Sequence, residues 1–210
     1  TKSIIREKVM LIAAIDCNHL GDMYLAKEMI AAANECGADI IKMQAFEPKD
    51  VRSGEMPLEF YAQCALDQDQ CVDLINYARA IRNDLFFSIF SRGYSKLIEH
   101  QRWLGVETHQ FQKGGASDYE DTDTTLVCIP SRSIPPKRIP KRAEILYASD
   151  YMTDDQDIMS VCALKDIVGR RVGYSDKTVG IGFCVRAHEI GAHIIEKGFN
   201  PIALRYFFTQ

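Results

Sequence analysis

Apolar residues fall along the chain in short runs, and the stretches between those runs carry apolar residues at helical spacing. The runs predict strands over 10–15, 38–46, 84–90, 106–113, 124–129, 143–149, 170–175 and 193–199. The intervening pattern predicts helices over 23–37, 71–81, 94–105, 157–167 and 181–192, the first ending in a Gly stop. Strands that alternate with helices through short connections imply a parallel sheet. Eight such strands imply an α/β fold of the (β/α)8 TIM-barrel type. Such a barrel takes about 250 residues, and this chain has 210. The shortage falls after strands 4, 5 and 8, where helices are missing or reduced. Strand 4 is followed by an acidic turn (118–123), strand 5 by PSRSIPPKRIPKR (130–142), and strand 8 by the ten residues 201–210. The Pro-rich piece cannot be helical, because proline lacks the N–H donor and clashes with the preceding turn. Strand-like segments flank it on both sides, so it reads as a loop within one domain spanning 1–210 rather than as a linker.

Composition narrows the class. The chain is 47% hydrophobic and 26% charged, with net charge −4, which is ordinary for a soluble globular protein and gives no basic excess for nucleic acid. No apolar run reaches the roughly 18 residues of a membrane span. The charged and apolar N-terminus is too short in its apolar part for a signal peptide and leads straight into Asp16 and Asn18. Seven cysteines, widely spaced and without a CxxC pair, read as buried free thiols in a cytoplasmic protein rather than as disulfides or a zinc site.

Alternate side chains share a strand face. Taken from the barrel interior, the faces read Ile40, Lys42, Gln44; Phe86, Ser88, Phe90; His109, Phe111, Lys113; Tyr147, Ser149, Tyr151; Gly173, Ser175, Lys177; and Ile194, Glu196, Gly198. Most begin apolar or small and most end polar, at the C-terminal strand ends where barrel active sites lie. Three inward lysines, Lys42, Lys113 and Lys177, are costly to bury without negative charge, and an anionic ligand would supply it. The alternative is that they reach the rim and are solvated there.

IAAIDCNHLGD (12–22), GADIIKMQ (37–44), CALDQDQ (64–70), FFSIFSR (86–92), QKGGAS (112–117), VGYSDKTVG (172–180) and GAHIIEKGF (191–199) stand in the order found in the sialic acid synthase family. The chain resembles that family from about residue 9 to 199, outside the Pro-rich stretch. The resemblance implies condensation of phosphoenolpyruvate with an N-acylated amino sugar. It implies that Lys42 and Lys113 grip phosphoenolpyruvate, with Ser88 beside them. It places Gln44 and Tyr151 on the sugar side, matches Ser175 to the serine of an S-D-H-T block, and sets Asn18 at the site rim. An enol phosphate needs such cations and hydroxyl or amide donors.

The departures matter as much. Ala14 stands where the family has an acid. Lys177 and Gly198 stand where it has the two histidines that hold a divalent metal such as manganese or magnesium. The strand 5 S-T-G-M block and the small C-terminal antifreeze-like domain have no counterpart. The expectation is therefore a synthase that uses no metal, with Lys177 polarising the sugar aldehyde and Glu196 as candidate acid or base. A catalytically degenerate barrel that binds a sugar or phosphate, or serves a partner subunit, is the alternative. A Schiff-base aldolase is a third, since a desolvated lysine on a barrel strand can act as a nucleophile.

The remaining polar groups read as structural. His109 sits low in the barrel, His188 and His193 do not aim at one metal, Asp154, Asp155 and Asp157 suit helix capping, and PPKRIPKR suits a solvated loop. No membrane or nucleic-acid partner is expected. Exposed strands over 124–149 would invite a homodimer.

Overall fold

The computed structural model describes residues 8–51, 56–91, 93–94, 97, 102–103, 106–107, 110–111, 126–131, 135, 139, 141, 143–149 and 154–200. Among these residues, ten strands and six α-helices follow in the order β1 (Met10–Asp16), α1 (Met23–Glu35), β2 (Ile40–Ala45), α2 (Leu58–Cys64), α3 (Gln68–Ala80), β3 (Asp84–Ile89), β4 (Arg102–Trp103), β5 (Val106–Glu107), β6 (Gln110–Phe111), β7 (Leu126–Pro130), β8 (Glu144–Ala148), α4 (Asp155–Ile158), α5 (Ser160–Val168), β9 (Gly173–Asp176), α6 (Gly182–Glu189) and β10 (Ile194–Gly198). Eight of the strands form one sheet in the order β6-β3-β2-β1-β10-β9-β8-β7. All its ladders are parallel. The first and last strands, β1 and β10, pair at the centre, and the edge strands β6 and β7 approach to Cα separations within 8 Å. That is the order of a shortened (β/α) barrel with its seam between the fourth and fifth strands.

Apolar spacing explains the helices. In α1, Ala26, Met29, Ile30 and Ala33 recur at three- and four-residue intervals and are all buried, while the Asp22 carboxylate caps Tyr24 N and Leu25 N. In α3, Asp67 and Gln70 form a reciprocal capping box, and Cys71, Leu74, Ile75 and Ala78 face inward. One outer apolar cluster joins these two helices to β1, β2 and β3. A second joins α5 and α6 to β7, β8, β9 and β10. The barrel interior is a third cluster, with Ile12, Ile40, Phe86, Leu126, Leu146 and Ile194 each supplied by a different strand. Gly173 belongs to this layer by necessity, since a Cβ there would lie 2.5 Å from Leu146 Cδ2 and 2.7 Å from the Ile194 carbonyl oxygen.

Four expectations are corrected. The stretch read as a helix over 94–105 contains β4, which pairs antiparallel with β5, and the single strand read over 106–113 is divided into β5 and β6. The interior face of β8 is Leu146 and Ala148, because Leu146 fills the interior layer. Tyr147 lies on the outer face instead, where its hydroxyl donates to Asp157. The seven cysteines are free thiols, but only Cys64 and Cys71 are buried and Cys36 is exposed. As read, Asp154 caps α4 by accepting from Asp157 N. His109 and most of the Pro-rich segment lie outside the described residues.

Candidate active site at the C-terminal ends of the strands

Beyond the apolar interior layer, the next residues on the same faces are polar, and they converge. Lys42 of β2 and Glu196 of β10 are 5% and 4% exposed. The Lys42 Nζ donates to Glu196 Oε1 at 2.7 Å, and the Ser175 hydroxyl of β9 donates to the same oxygen at 2.7 Å. The second carboxylate oxygen, Glu196 Oε2, is buried and has no partner among the described residues. Burial works against the Lys42 ammonium, but Glu196 and Asp16 together hold its pKa above the usual lysine range. The negative charge that this lysine requires thus comes from the protein itself, not only from a ligand.

Asp16 carries no role in the sequence reading. It ends β1 after an irregularity in the ladder with β2, and its φ of 49° is left-handed, a conformation that turns the chain and aims its carboxylate back over β2. Its Oδ1 accepts from Gln44 Nε2 at 3.1 Å. Burial raises its pKa; Lys42, the Gln44 amide and Lys177 oppose that rise and Glu196 adds to it, leaving the value above the usual carboxylate range. Ala14, where the resemblance leads one to expect an acid, has Lys42 and Gly198 as its ladder partners. An acid two residues further on reaches the same mouth. The signal was present in the sequence as period-two spacing from Ala14, but the irregularity in the ladder hid it.

The other predicted residues divide. Gln44 faces the site and also accepts weakly from the Cys17 thiol. Ser88 is fully buried on β3. Lys177 lies one residue past the end of β9, exposed at the rim, with its backbone N–H held by the Ser149 hydroxyl at 3.0 Å. Asn18 ties the β1 loop to the end of β10, its amide donating to the Phe199 carbonyl at 3.3 Å. His19 orders the same loop by accepting from Gly21 N, and burial lowers its pKa to about 4. Lys113 and Tyr151 lie outside the described residues.

Asp176, between Ser175 and Lys177, points outward and anchors the loop that follows. Its carboxylate accepts from Thr178 N, the Thr178 hydroxyl, the Cys184 thiol and the Lys197 ammonium. Burial raises its pKa, but these four donors outweigh burial and the value ends below the usual range. The lysine and the aspartate of this strand end therefore do separate work, one facing the mouth and one bracing the loop.

The mouth does not suit a divalent metal. Among the described residues no three His, Cys, Asp or Glu side chains converge as ligands. The Lys42 ammonium occupies the space between the carboxylates, and a cation there would meet its charge. Gly198 has open space around its Cβ position. A separate cleft of about 320 Å³, lined by Lys8, Arg171, His188 and His193, opens at the N-terminal ends of the strands, away from this cluster. No helix among the described residues is long and apolar enough to cross a membrane.

Residues 147–201 match the model of the NeuB family. Over 224 residues the chain is 24% identical to a pseudaminic acid synthase of Helicobacter pylori, covering 90% of this chain and 65% of that protein. It is 25% identical over 233 residues to an N,N'-diacetyllegionaminic acid synthase of Campylobacter jejuni, covering 92% of this chain and 68% of that one. The chain therefore spans less than two-thirds of the length of the Helicobacter relative. In structure it is similar to an N-acetylneuraminic acid (sialic acid) synthetase from Leptospira borgpetersenii in complex with citrate. The TM-score is 0.72 at 18% identity, covering 98% of this chain and 79% of that one, a likeness of fold.

Proposed function

On the premise that the chain is a divergent member of the NeuB family, we propose that it condenses phosphoenolpyruvate with an N-acylated amino sugar, without a metal, in a single barrel domain spanning 1–210. The observation that carries this reading is the buried Lys42 ammonium, fixed at the C-terminal end of β2 by Glu196 and beside Ser175. A buried, oriented ammonium among hydroxyl donors suits an enol phosphate. Gln44 places the sugar, and Lys177 at the rim polarises its aldehyde oxygen. The C3 carbon of phosphoenolpyruvate donates its π electrons to the aldehyde carbon, and the aldehyde π pair moves to oxygen and takes a proton. Water then adds at C2 and loses one proton; the C2–O bond breaks with its electron pair leaving on the phosphate, and the second proton of that water passes to the phosphate as the C2 carbonyl forms. Lys113 and Tyr151 are proposed as further contacts to phosphoenolpyruvate and sugar.

One observation favours a second reading, a barrel that binds an anion or sugar without turnover. Lys42 is already neutralised by Glu196 at 2.7 Å. Assay of phosphate released from phosphoenolpyruvate with N-acetylmannosamine, with manganese and with chelator, separates the two. The synthase reading predicts release that requires the sugar and survives chelation. Binding of phosphoenolpyruvate with no release under either condition selects the binding barrel.

A further inference from the structure

The charges at the barrel mouth raise a difficulty for any anionic ligand. Among the described residues the groups that meet there are the Lys42 and Lys177 ammoniums and the Asp16 and Glu196 carboxylates, so the site is close to neutral before a ligand arrives. Lys42 is committed to Glu196. An anion that approaches Lys42 also meets Glu196 Oε2, which has no donor among the described residues, and the carboxylate of Asp16. Like charges brought together beside these buried groups oppose binding strongly.

We propose that Asp16 binds a proton together with the anion, so that the barrel takes up its anionic ligand and one proton as a unit. This rests on the functional reading above only for the identity of the anion. The geometry selects Asp16 among the groups at the mouth. Glu196 Oε1 already accepts from both Lys42 and Ser175. Asp16 accepts a single side-chain hydrogen bond, from neutral Gln44, and its left-handed backbone holds the carboxyl over the site. Of the thiols near these charges, Cys17 beside Asp16 has its pKa pushed up to about 12 by burial and stays a neutral thiol, and Cys128 of β7 faces Lys42. His19 stays neutral and already accepts from Gly21 N. Burial already works in the direction of protonation at Asp16.

Calorimetric titration with phosphoenolpyruvate, and separately with citrate, in buffers of different ionisation enthalpy tests this. Between about pH 7 and 9 the phosphate of the ligand is past its own second ionisation. The wild-type protein is expected to take up close to one proton per anion, with affinity falling by up to about tenfold per pH unit. Asp16→Asn, which preserves the Gln44 hydrogen bond, is expected to bind either anion without proton uptake and with affinity that does not change over the same range. Phosphoenolpyruvate binding with no proton uptake, or unchanged uptake in Asp16→Asn, overturns the role of Asp16 and leaves the synthase reading intact. Citrate binding with proton uptake, but no binding of phosphoenolpyruvate, retains the role and removes the synthase reading. Binding of neither anion at any pH removes both. An infrared difference spectrum of the wild-type complex should show a protonated carboxyl band that Asp16→Asn lacks.

Discussion

Two aspartates, Asp16 at the mouth and Asp176 bracing the loop after β9, have opposite linkage to pH. Asp176 is held below its ordinary pKa, so the stability it contributes is present above the unfolded carboxylate pKa and lost as pH falls through the folded value. Asp16 is held above its ordinary pKa, so it costs nothing while protonated and destabilises the fold as pH rises past the unfolded value toward the folded one. Asp176→Asn should therefore lower the melting temperature at pH 7 and converge on wild type in acid. Asp16→Asn should raise it at pH 8 and also converge in acid. Melting curves at three pH values check both signs. The Lys42–Glu196 pair is the most sensitive contact at this scale. Glu196→Gln strands a buried ammonium and should cost about 3–5 kcal/mol, whereas replacing both partners by apolar residues should cost much less; denaturant titrations of the single and double variants give the comparison. The pair joins residues 154 apart in the chain. Period-two spacing put both on the interior face, but nothing in the spacing showed that one would neutralise the other.

The elements were legible where apolar runs were long. Strands β1, β2, β3, β8 and β10, and helices α1 and α3, follow from periodicity and caps. The face of β8 did not, because Tyr147 and Leu146 are both large and apolar enough for either side. The interior layer decides the question by requiring Leu146 above Gly173. Helix α2 escaped because its N-cap, Pro57, makes no side-chain cap hydrogen bond. Gly173→Ala forces a Cβ against backbone and side chain and should cost about 1–3 kcal/mol by denaturant titration.

For the whole molecule, the sheet order places β1 and β10 at the centre and brings their C-terminal ends, with that of β2, to one mouth. The seam between β6 and β7 lies on the far side of the sheet from this cluster, so the shortened connections spare the residues that define the site. That explains how a chain with reduced helices retains a buried, organised polar cluster. If the proposed reading holds, this mouth takes phosphoenolpyruvate through Lys42. A crystal structure of the protein soaked with phosphoenolpyruvate tests this most directly. Its phosphate or carboxylate is expected within hydrogen-bond distance of Lys42 Nζ, at the C-terminal ends of β2, β9 and β10. Ligand density only at the opposite end of the barrel, in the cleft beside His188 and His193, would contradict it.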